Sequence, residues 1–272
     1  MIEALPSGVD VRAATRRPDS YPVREGREAV AFDFGDRATY RAALQGVEAV
    51  FLMRPPRMAR GGEVAPFLDA ALGAGVERVV ALSVKGAGEA KVLPHHAMER
   101  EVRERGFAWT MLRPADFMQN FETEHRRGLV EDDEIALPAG DGASALVDVR
   151  DVGAVGALAL TENGHAGRAY TLTGPDALTF AEVADILSDV LGREIAYRHV
   201  SGPRFVWERT QAGEALPKVL VMSALYTAQR LGRAAGVTRT VAELLERPAT
   251  DFRTYAEREA DVWAGAREKK TA

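Results

Sequence analysis

The chain has 272 residues, 46% hydrophobic and 28% charged, with a formal net charge of −5 at pH 7 and no cysteine. This length holds one large α/β domain or a nucleotide domain with a smaller appendage, and the net acidity argues against nucleic acid or an anionic membrane as the main partner. Disulfides, thiolate nucleophiles and Cys-based zinc sites are excluded, no apolar run reaches the ~18–20 residues that span a bilayer, and Met1-Ile-Glu-Ala-Leu-Pro6 lacks the basic start and apolar core of a signal peptide, which makes a cytoplasmic location the default.

Val9-Asp-Val-Arg-Ala-Ala-Thr15 alternates and predicts a strand, ended by Arg16-Arg-Pro-Asp-Ser20 because Pro18 cannot donate to a ladder. Ala29 to Phe34 is a second short strand, and Arg37 to Leu44 a short helix closed by Gly46. Val47 to Met53 is a third strand, stopped by Pro55-Pro56; Glu63 to Leu72 is an amphipathic helix followed by Gly73-Ala-Gly75. Val76 to Ser83 is a fourth strand, His95 to Arg105 a helix ending at Gly106, and Ala108 to Arg113 a fifth strand. Strands alternating with helices at this spacing predict a parallel sheet. Beyond it, Ala145 to Val149 predicts a short strand, Val152 to Leu160 a small-residue helix and Arg168 to Thr173 a strand. Thr179-Phe-Ala-Glu182 is a capping box opening a helix with Val183, Ile186, Leu187 and Val190 on one face and Gly192 at its end. Residues 205–264 read as mainly helical, and the tail 266–272 as polar and frayed.

Gly106-Phe-Ala-Trp-Thr-Met-Leu-Arg-Pro-Ala-Asp-Phe-Met-Gln-Asn-Phe121 resembles the segment of NmrA-like, atypical short-chain dehydrogenase/reductases in which a late strand runs into the substrate loop. Leu52-Met-Arg-Pro-Pro56, Val147-Asp-Val-Arg-Asp-Val152 and Arg247-Pro-Ala-Thr-Asp-Phe252 match further family segments in order, and the resemblance runs from Val9 to Trp263, strongest across 76–191. It implies NAD(P) bound on a Rossmann-like sheet over 1–160, interleaved with a small, mainly helical substrate region over 161–272.

One family feature is missing. A Rossmann site needs glycines between its first strand and first helix, so that the backbone can approach the pyrophosphate. Gly73-Ala-Gly75 precedes a strand, and no helix opens on the last glycine of Gly86-Ala-Gly88. The strand that carries this loop is central in such sheets, so its absence predicts two open edges. Either the chain begins inside the first helix of the family fold, or it is a shortened variant whose sheet closes differently.

Arg16 and Arg17 follow the strand where the adenosine ribose is read, and arginine there suits the 2′-phosphate of NADP; NADPH is therefore the expected cofactor, with NAD possible, and an ordinary solvated basic turn is the alternative. Asp33 and Phe34 resemble the family's pair beside adenine, or else a strand-end acid capping its turn. Met53 and Arg54 resemble the segment that passes the cofactor. Ser83 ends a strand where ligands gather in open α/β sheets. Aligning Glu99 with the family's recurrent Glu puts Lys91 and His95 where the wider superfamily has Tyr-x-x-x-Lys, so that pair is absent. His95-His-Ala-Met-Glu99 resembles the quinone oxidoreductase branch, in which His95 would be a proton donor; His95 and Glu99 also fit an i, i+4 surface pair. His95, His96 and Glu99 lack a third ligand on one face, so no metal is expected. Arg113 and Pro114 would border the nicotinamide, and Phe117, Asn120 and Phe121 the substrate, although Phe117, Met118 and Phe121 equally suit packing. Asp151 is expected to cap the next helix.

The resulting expectation is NAD(P)H-dependent reduction of a quinone or small carbonyl compound, catalysed with Ser83 and His95. The rivals are a non-catalytic NADP(H)-sensing regulator and a degenerate relative without dinucleotide binding. Partners would be a small molecule, neither nucleic acid nor membrane, and a homodimer is compatible with the open sheet edges.

Overall fold

The computed structural model describes residues 1–22, 26–55, 58 and 61–264; Pro56 and the tail 266–272 lie outside them. In chain order the strands are β1 (Val11–Thr15), β2 (Arg27–Ala31), β3 (Ala49–Met53), β4 (Arg78–Leu82), β5 (Ala108–Pro114), β6 (Glu134–Leu137), β7 (Ala143–Ser144), β8 (Arg168–Leu172), β9 (Leu178–Thr179) and β10 (Ala196–His199). The helices are α1 (Tyr40–Leu44), α2 (Ala65–Gly73), α3 (Pro94–Glu104), α4 (Val149–Thr161), α5 (Phe180–Leu191), α6 (Gly202–Gln211), α7 (Leu216–Arg230), α8 (Thr240–Leu245), α9 (Phe252–Glu259) and α10 (Asp261–Ala264). No helix among the described residues is long and apolar enough to cross a membrane. The chain divides into two compact units, Met1–Pro114 with Val152–Leu172, and Ala115–Asp151 with Thr173–Ala272.

The first unit is a parallel α/β layer. Its main sheet runs β3-β4-β5-β8, every pair parallel, with Phe51, Val80 and Thr110 in register. Val79, Val80 and Ala81 are fully enclosed, as expected for a strand covered on both faces. β1 and β2 form a separate parallel pair. Among the described residues the sheet is thus interrupted between β1 and β3, each of which has a single hydrogen-bonded neighbour. Residues Ile2–Ala4 make one 3₁₀ turn, and Glu3 pairs with Arg27 Nη1 at 2.9 Å. Met1 lies on α4 where Gly153 has no side chain; a Cβ there would stand 2.5 Å from the Met1 nitrogen.

Two expected boundaries move. The second strand ends at Ala31 rather than Phe34, because Phe32 turns inward onto Tyr40 and Phe67 and Asp33 begins a tight turn to Asp36. The strand expected at 145–149 is reduced to one bridge between Val147 and Phe117, since α4 already starts at Val149.

The second unit is built around Phe121, Phe180, Phe205, Tyr226, Phe252, Tyr255 and Trp263. Its helix ends follow the sequence chemistry. Thr179 and Glu182 form the expected capping box, and Gly192 closes α5 at φ 63°, a left-handed position that costs glycine little. Asp251 caps α9 by accepting from Thr254 N at 2.8 Å. The parallel pair β6–β10 is additional to the sequence expectation. Asp151 does not cap α4: Asp148 does, accepting from Arg150 N at 2.9 Å, while Asp151 is buried and tied to Arg247 Nη2 and Thr250 N, each at 2.7 Å.

Candidate functional site

In a parallel sheet all carboxyl ends lie on one edge, so β3, β4 and β5 deliver Arg54, Ser83 and Arg113 to the same side of the first unit. Glu99 of α3 joins them. It is completely buried and accepts from Ser83 Oγ at 2.6 Å, Arg113 Nε at 2.9 Å, Arg113 Nη2 at 2.6 Å and Arg103 Nη2 at 2.7 Å. Burial alone would raise its pKa, but the hydrogen bonds from Arg113 and Ser83 and the charges of Arg113 and Arg103 outweigh it, and the carboxyl is held below the usual range. An ionised Glu99 can only accept, so the Ser83 proton is directed at it. Gly88 is part of the same arrangement: a Cβ there would sit 2.6 Å from the Arg113 guanidinium. The space at Gly88 is therefore filled by an arginine side chain of this unit, whereas Gly86 faces open space.

His95 stands on the first turn of α3. Burial, then the charge of Arg54, lower its pKa, against the opposing pull of Glu99, so the ring is neutral at pH 7. Arg54 donates to the carbonyls of Met58 and of Pro55, the latter at 3.1 Å, while its Nε is buried without a partner among the described residues. The surface-pair reading of His95 and Glu99 is overturned, because Glu99 has no exposed surface. Lys91 is exposed. Ser83 is only 1% exposed, which makes its hydroxyl part of the Glu99 network first of all.

On the β1–β2 pair, Arg16 and Arg17 are exposed, with no side-chain hydrogen bond or ion pair among the described residues. Asp33 accepts from Gly35 N at 2.8 Å, the turn-capping geometry. Phe34 packs edge-on against Phe32 and Phe67 at 4.8 and 5.3 Å. Met53 is exposed. Pro114, the last residue of β5, accepts from Lys85 N at 2.8 Å.

In the second unit Asn120 has the partner a buried amide needs, donating to Asp116 Oδ1 at 2.6 Å, while Gln229 Nε2 donates to Asp116 Oδ2 at 3.1 Å. Burial raises the pKa of Asp116 against these bonds. Phe117 is half-buried. Phe121 is 1% exposed, packs against Phe252 and His125, and its carbonyl accepts from Trp263 Nε1 at 2.8 Å; its environment is core. His125 Nε2 lies 3.2 Å from the Tyr226 hydroxyl. Burial and then Arg209 lower His125 to about 3, and burial foremost raises Tyr226, so both are neutral.

Within the first unit the structure thus brings together Ser83, Arg113, Arg54 and His95 of the expected residues and adds Arg103 to Glu99; within the second unit, separately, Asp116 meets Asn120 and Gln229, and His125 meets Tyr226. Glu99 was marked in the sequence by its match to the family's recurrent Glu, not as buried; an i, i+4 spacing to Glu99 is the signal that could have found Arg103, and the second-unit residues other than Asn120 carried none. The strand-end cations and Arg54 Nε, a buried donor with no partner among the described residues, suit the anionic groups of a dinucleotide. Gly86 and Gly88 lie between β4 and α3, but α3 starts only at Pro94, so the helix does not open on these glycines as a pyrophosphate turn requires.

The NmrA-like family model matches residues 2–252. The chain is 37% identical to the (4-alkanoyl-5-oxo-2,5-dihydrofuran-3-yl)methyl phosphate reductase of Streptomyces griseus subsp. griseus, over 93% of this chain and 91% of that protein. It is 33% identical to the NAD(P)H azoreductase of Xenophilus azovorans, over 89% and 85%. Among solved structures, the triphenylmethane reductase of Citrobacter sp. complexed with NADP(H) superposes with a TM-score of 0.82 at 25% identity, covering 95% of this chain and 94% of that one. The order of strands, the run from Ala108 to Phe121 and the family match agree, and the chain belongs to the NmrA-like family.

Proposed function

We propose that the protein is an NAD(P)H-dependent oxidoreductase, with NADPH preferred, that reduces a quinone or small carbonyl compound. The observation that carries this reading is the polar cluster of Arg54, Ser83, His95 and Arg113 at the carboxyl edge of the parallel sheet, the edge at which open α/β sheets take ligands. Two relatives above 30% identity, a reductase and an NAD(P)H azoreductase, support it. The first unit would bind the dinucleotide and the second would supply substrate contacts. Arg16 and Arg17 would hold a 2′-phosphate, with Asp33 and Phe34 near adenine and Met53, Arg54 and Pro114 along the cofactor. Phe117 and Asn120 would meet the substrate, and Phe121 would set the core behind them.

A bound nicotinamide would supply the hydride. Glu99 holds Arg113 and Ser83 in one geometry, so this part of the floor is rigid before any ligand arrives. Ser83 has its proton directed at Glu99 and can meet a ligand only as an acceptor. His95, neutral, can give an N–H hydrogen bond and not an imidazolium proton. We take the protein to be cytoplasmic and without nucleic-acid or membrane partners.

A second reading, a non-catalytic NADP(H) sensor, is favoured by Lys91 and His95 standing where a Tyr-x-x-x-Lys pair would be. Thermal-shift titration with NADPH and NADH, followed by NADPH oxidation against quinones and ketones, separates them. Selective stabilisation by NADPH with quinone-dependent oxidation is expected. Stabilisation without turnover would favour the sensor, and no stabilisation by either dinucleotide would overturn both in favour of a relative that has lost the cofactor.

A further inference from the structure

Helix α7 is apolar on two faces. Val219, Met222, Tyr226 and Gln229 are buried in the core of the second unit. The outward side carries Leu216, Leu220, Val221 and Leu225, continued by Leu231, each between 50% and 66% exposed. Between Lys218 and Arg230 the helix has no charged residue. The exposed polar group there, Thr227, turns its hydroxyl back to the Ser223 carbonyl at 2.7 Å. A solvated helix face carries charge; three turns without any is the composition of an interface centre.

We propose that this face is the interface of a homodimer, α7 packing on its symmetry mate about a two-fold axis near Ala224. The area fits. At ~100 Å² per half-exposed large side chain the five residues offer roughly 500 Å² of apolar surface, the upper range of patches on monomers. Pro217, Ala224 and the Lys218 and Arg230 stems bring this towards the ~800 Å² that each partner contributes to a stable pair. The chemistry also selects a second copy. A charge-free face meets itself without like-charge opposition, whereas it offers a differently patterned protein nothing to read. Ala224, at the centre and exposed, lets two backbones approach closely. A lipid surface would be recognised through a basic rim. Lys218 instead is neutralised by Glu124 at 2.7 Å and Glu214 at 3.2 Å. The interface is thus assigned to α7 and not to the open sheet edges of the first unit.

Sedimentation velocity of the full chain at about 50 µM, a concentration at which a micromolar pair is assembled, should show a dimer. Leu220→Glu and Leu225→Glu, which put charge at the centre, should weaken it at least about 30-fold with the circular dichroism spectrum retained. Leu72→Glu, an exposed site on the first unit, should not. The chain has no cysteine, so Ala224→Cys gives a single thiol that should cross-link to its mate on mild oxidation, while Leu72→Cys should not. This arm needs no charge in the face and stands if the glutamate variants fail to fold. A monomeric wild-type chain, a monomer that binds anionic vesicles, a dimer indifferent to both glutamates, or cross-linking at Leu72→Cys instead of Ala224→Cys would each overturn the assignment.

Discussion

Replacing Glu99 by glutamine removes one charge from the centre of the first unit and changes almost nothing else in volume. In the wild type the carboxylate faces two guanidiniums and a hydroxyl at 2.6–2.9 Å. The amide can keep one oxygen for arginine, but its NH₂ must then face either Arg113 Nε–H or two guanidinium N–H groups. Removing one partner of a fully buried pair costs ~3–5 kcal/mol. Arg113 and Arg103 side chains are 19% and 32% exposed, and the solvent they reach reduces the figure to about 2–4 kcal/mol. That is a fall in Tm of roughly 5–12 °C for a chain of this size.

The pH dependence provides the sharper test. Glu99 has a folded pKa below its unfolded value, so its contribution is full above the unfolded value and is lost as pH falls through the folded one. Urea unfolding of both proteins, followed by circular dichroism, should show the whole gap at pH 7.5 and a shrinking gap in acid below the ordinary carboxylate range. A gap under ~1 kcal/mol at pH 7.5, the size of an exposed pair, or a gap indifferent to acid, would refute the claim that this network is buried and ionised.

Three further outcomes follow from the same geometry. Gly88→Ala places a methyl 2.6 Å from the Arg113 guanidinium, so it should force Arg113 off Glu99 and cost about 1–3 kcal/mol; an unchanged melting curve would contradict the crowding. Changing Arg16 and Arg17 to alanine should weaken NADPH by ~1.5–3 kcal/mol per lost charged hydrogen bond and leave NADH nearly unchanged in an isothermal titration, and equal losses would sink the 2′-phosphate role. His125, lowered to about 3 by burial, contributes stability that is full above pH 6.5 and falls by up to ~1.4 kcal/mol per pH unit towards its folded value. His125→Gln should flatten that part of the stability–pH curve, and an identical slope would show that His125 is not the titrating group.

The parallel sheet was legible because three apolar runs, Val47–Met53, Val76–Ser83 and Ala108–Arg113, are each separated by a helix-length amphipathic segment. The capping box at Thr179 and Glu182 was legible because its chemistry is local. Glu99 was not, since a Glu among Arg100, Glu101, Arg103 and Glu104 has the composition of a solvated face. What buries it is Ser83 and Arg113 arriving from two strands, which no helical periodicity encodes. The β6–β10 pair joins four-residue strands some 60 residues apart, too short to alternate detectably and paired only by tertiary contact. His125 and Tyr226 meet across 101 residues, again outside the reach of any local pattern. Phe121 shows the reverse: an aromatic in the substrate loop looked available for a ligand, and the core of the second unit takes it.

The proton supply at this cluster decides which substrates suit the proposed reductase. Lys91 is exposed and is no phenol. Ser83 donates its hydroxyl hydrogen bond to the ionised Glu99. His95 is kept neutral by burial and by Arg54. Hydride addition to a simple ketone builds an alkoxide that needs a proton at once, and a positioned general acid contributes ~10²–10⁴-fold there. Reduction of a quinone spreads the charge over the ring, and the product can be protonated late by water. If the protein is the proposed reductase, NADPH oxidation across pH 6–8 should show kcat/KM for quinones at least about 100-fold above that for ketones of similar size. The His95→Asn variant, which retains an N–H donor but cannot titrate, should preserve most of the quinone rate. Equal rates on ketone and quinone, or a quinone rate that collapses in His95→Asn with the fold intact, would show that an acid operates here and that the neutral-imidazole reading is wrong.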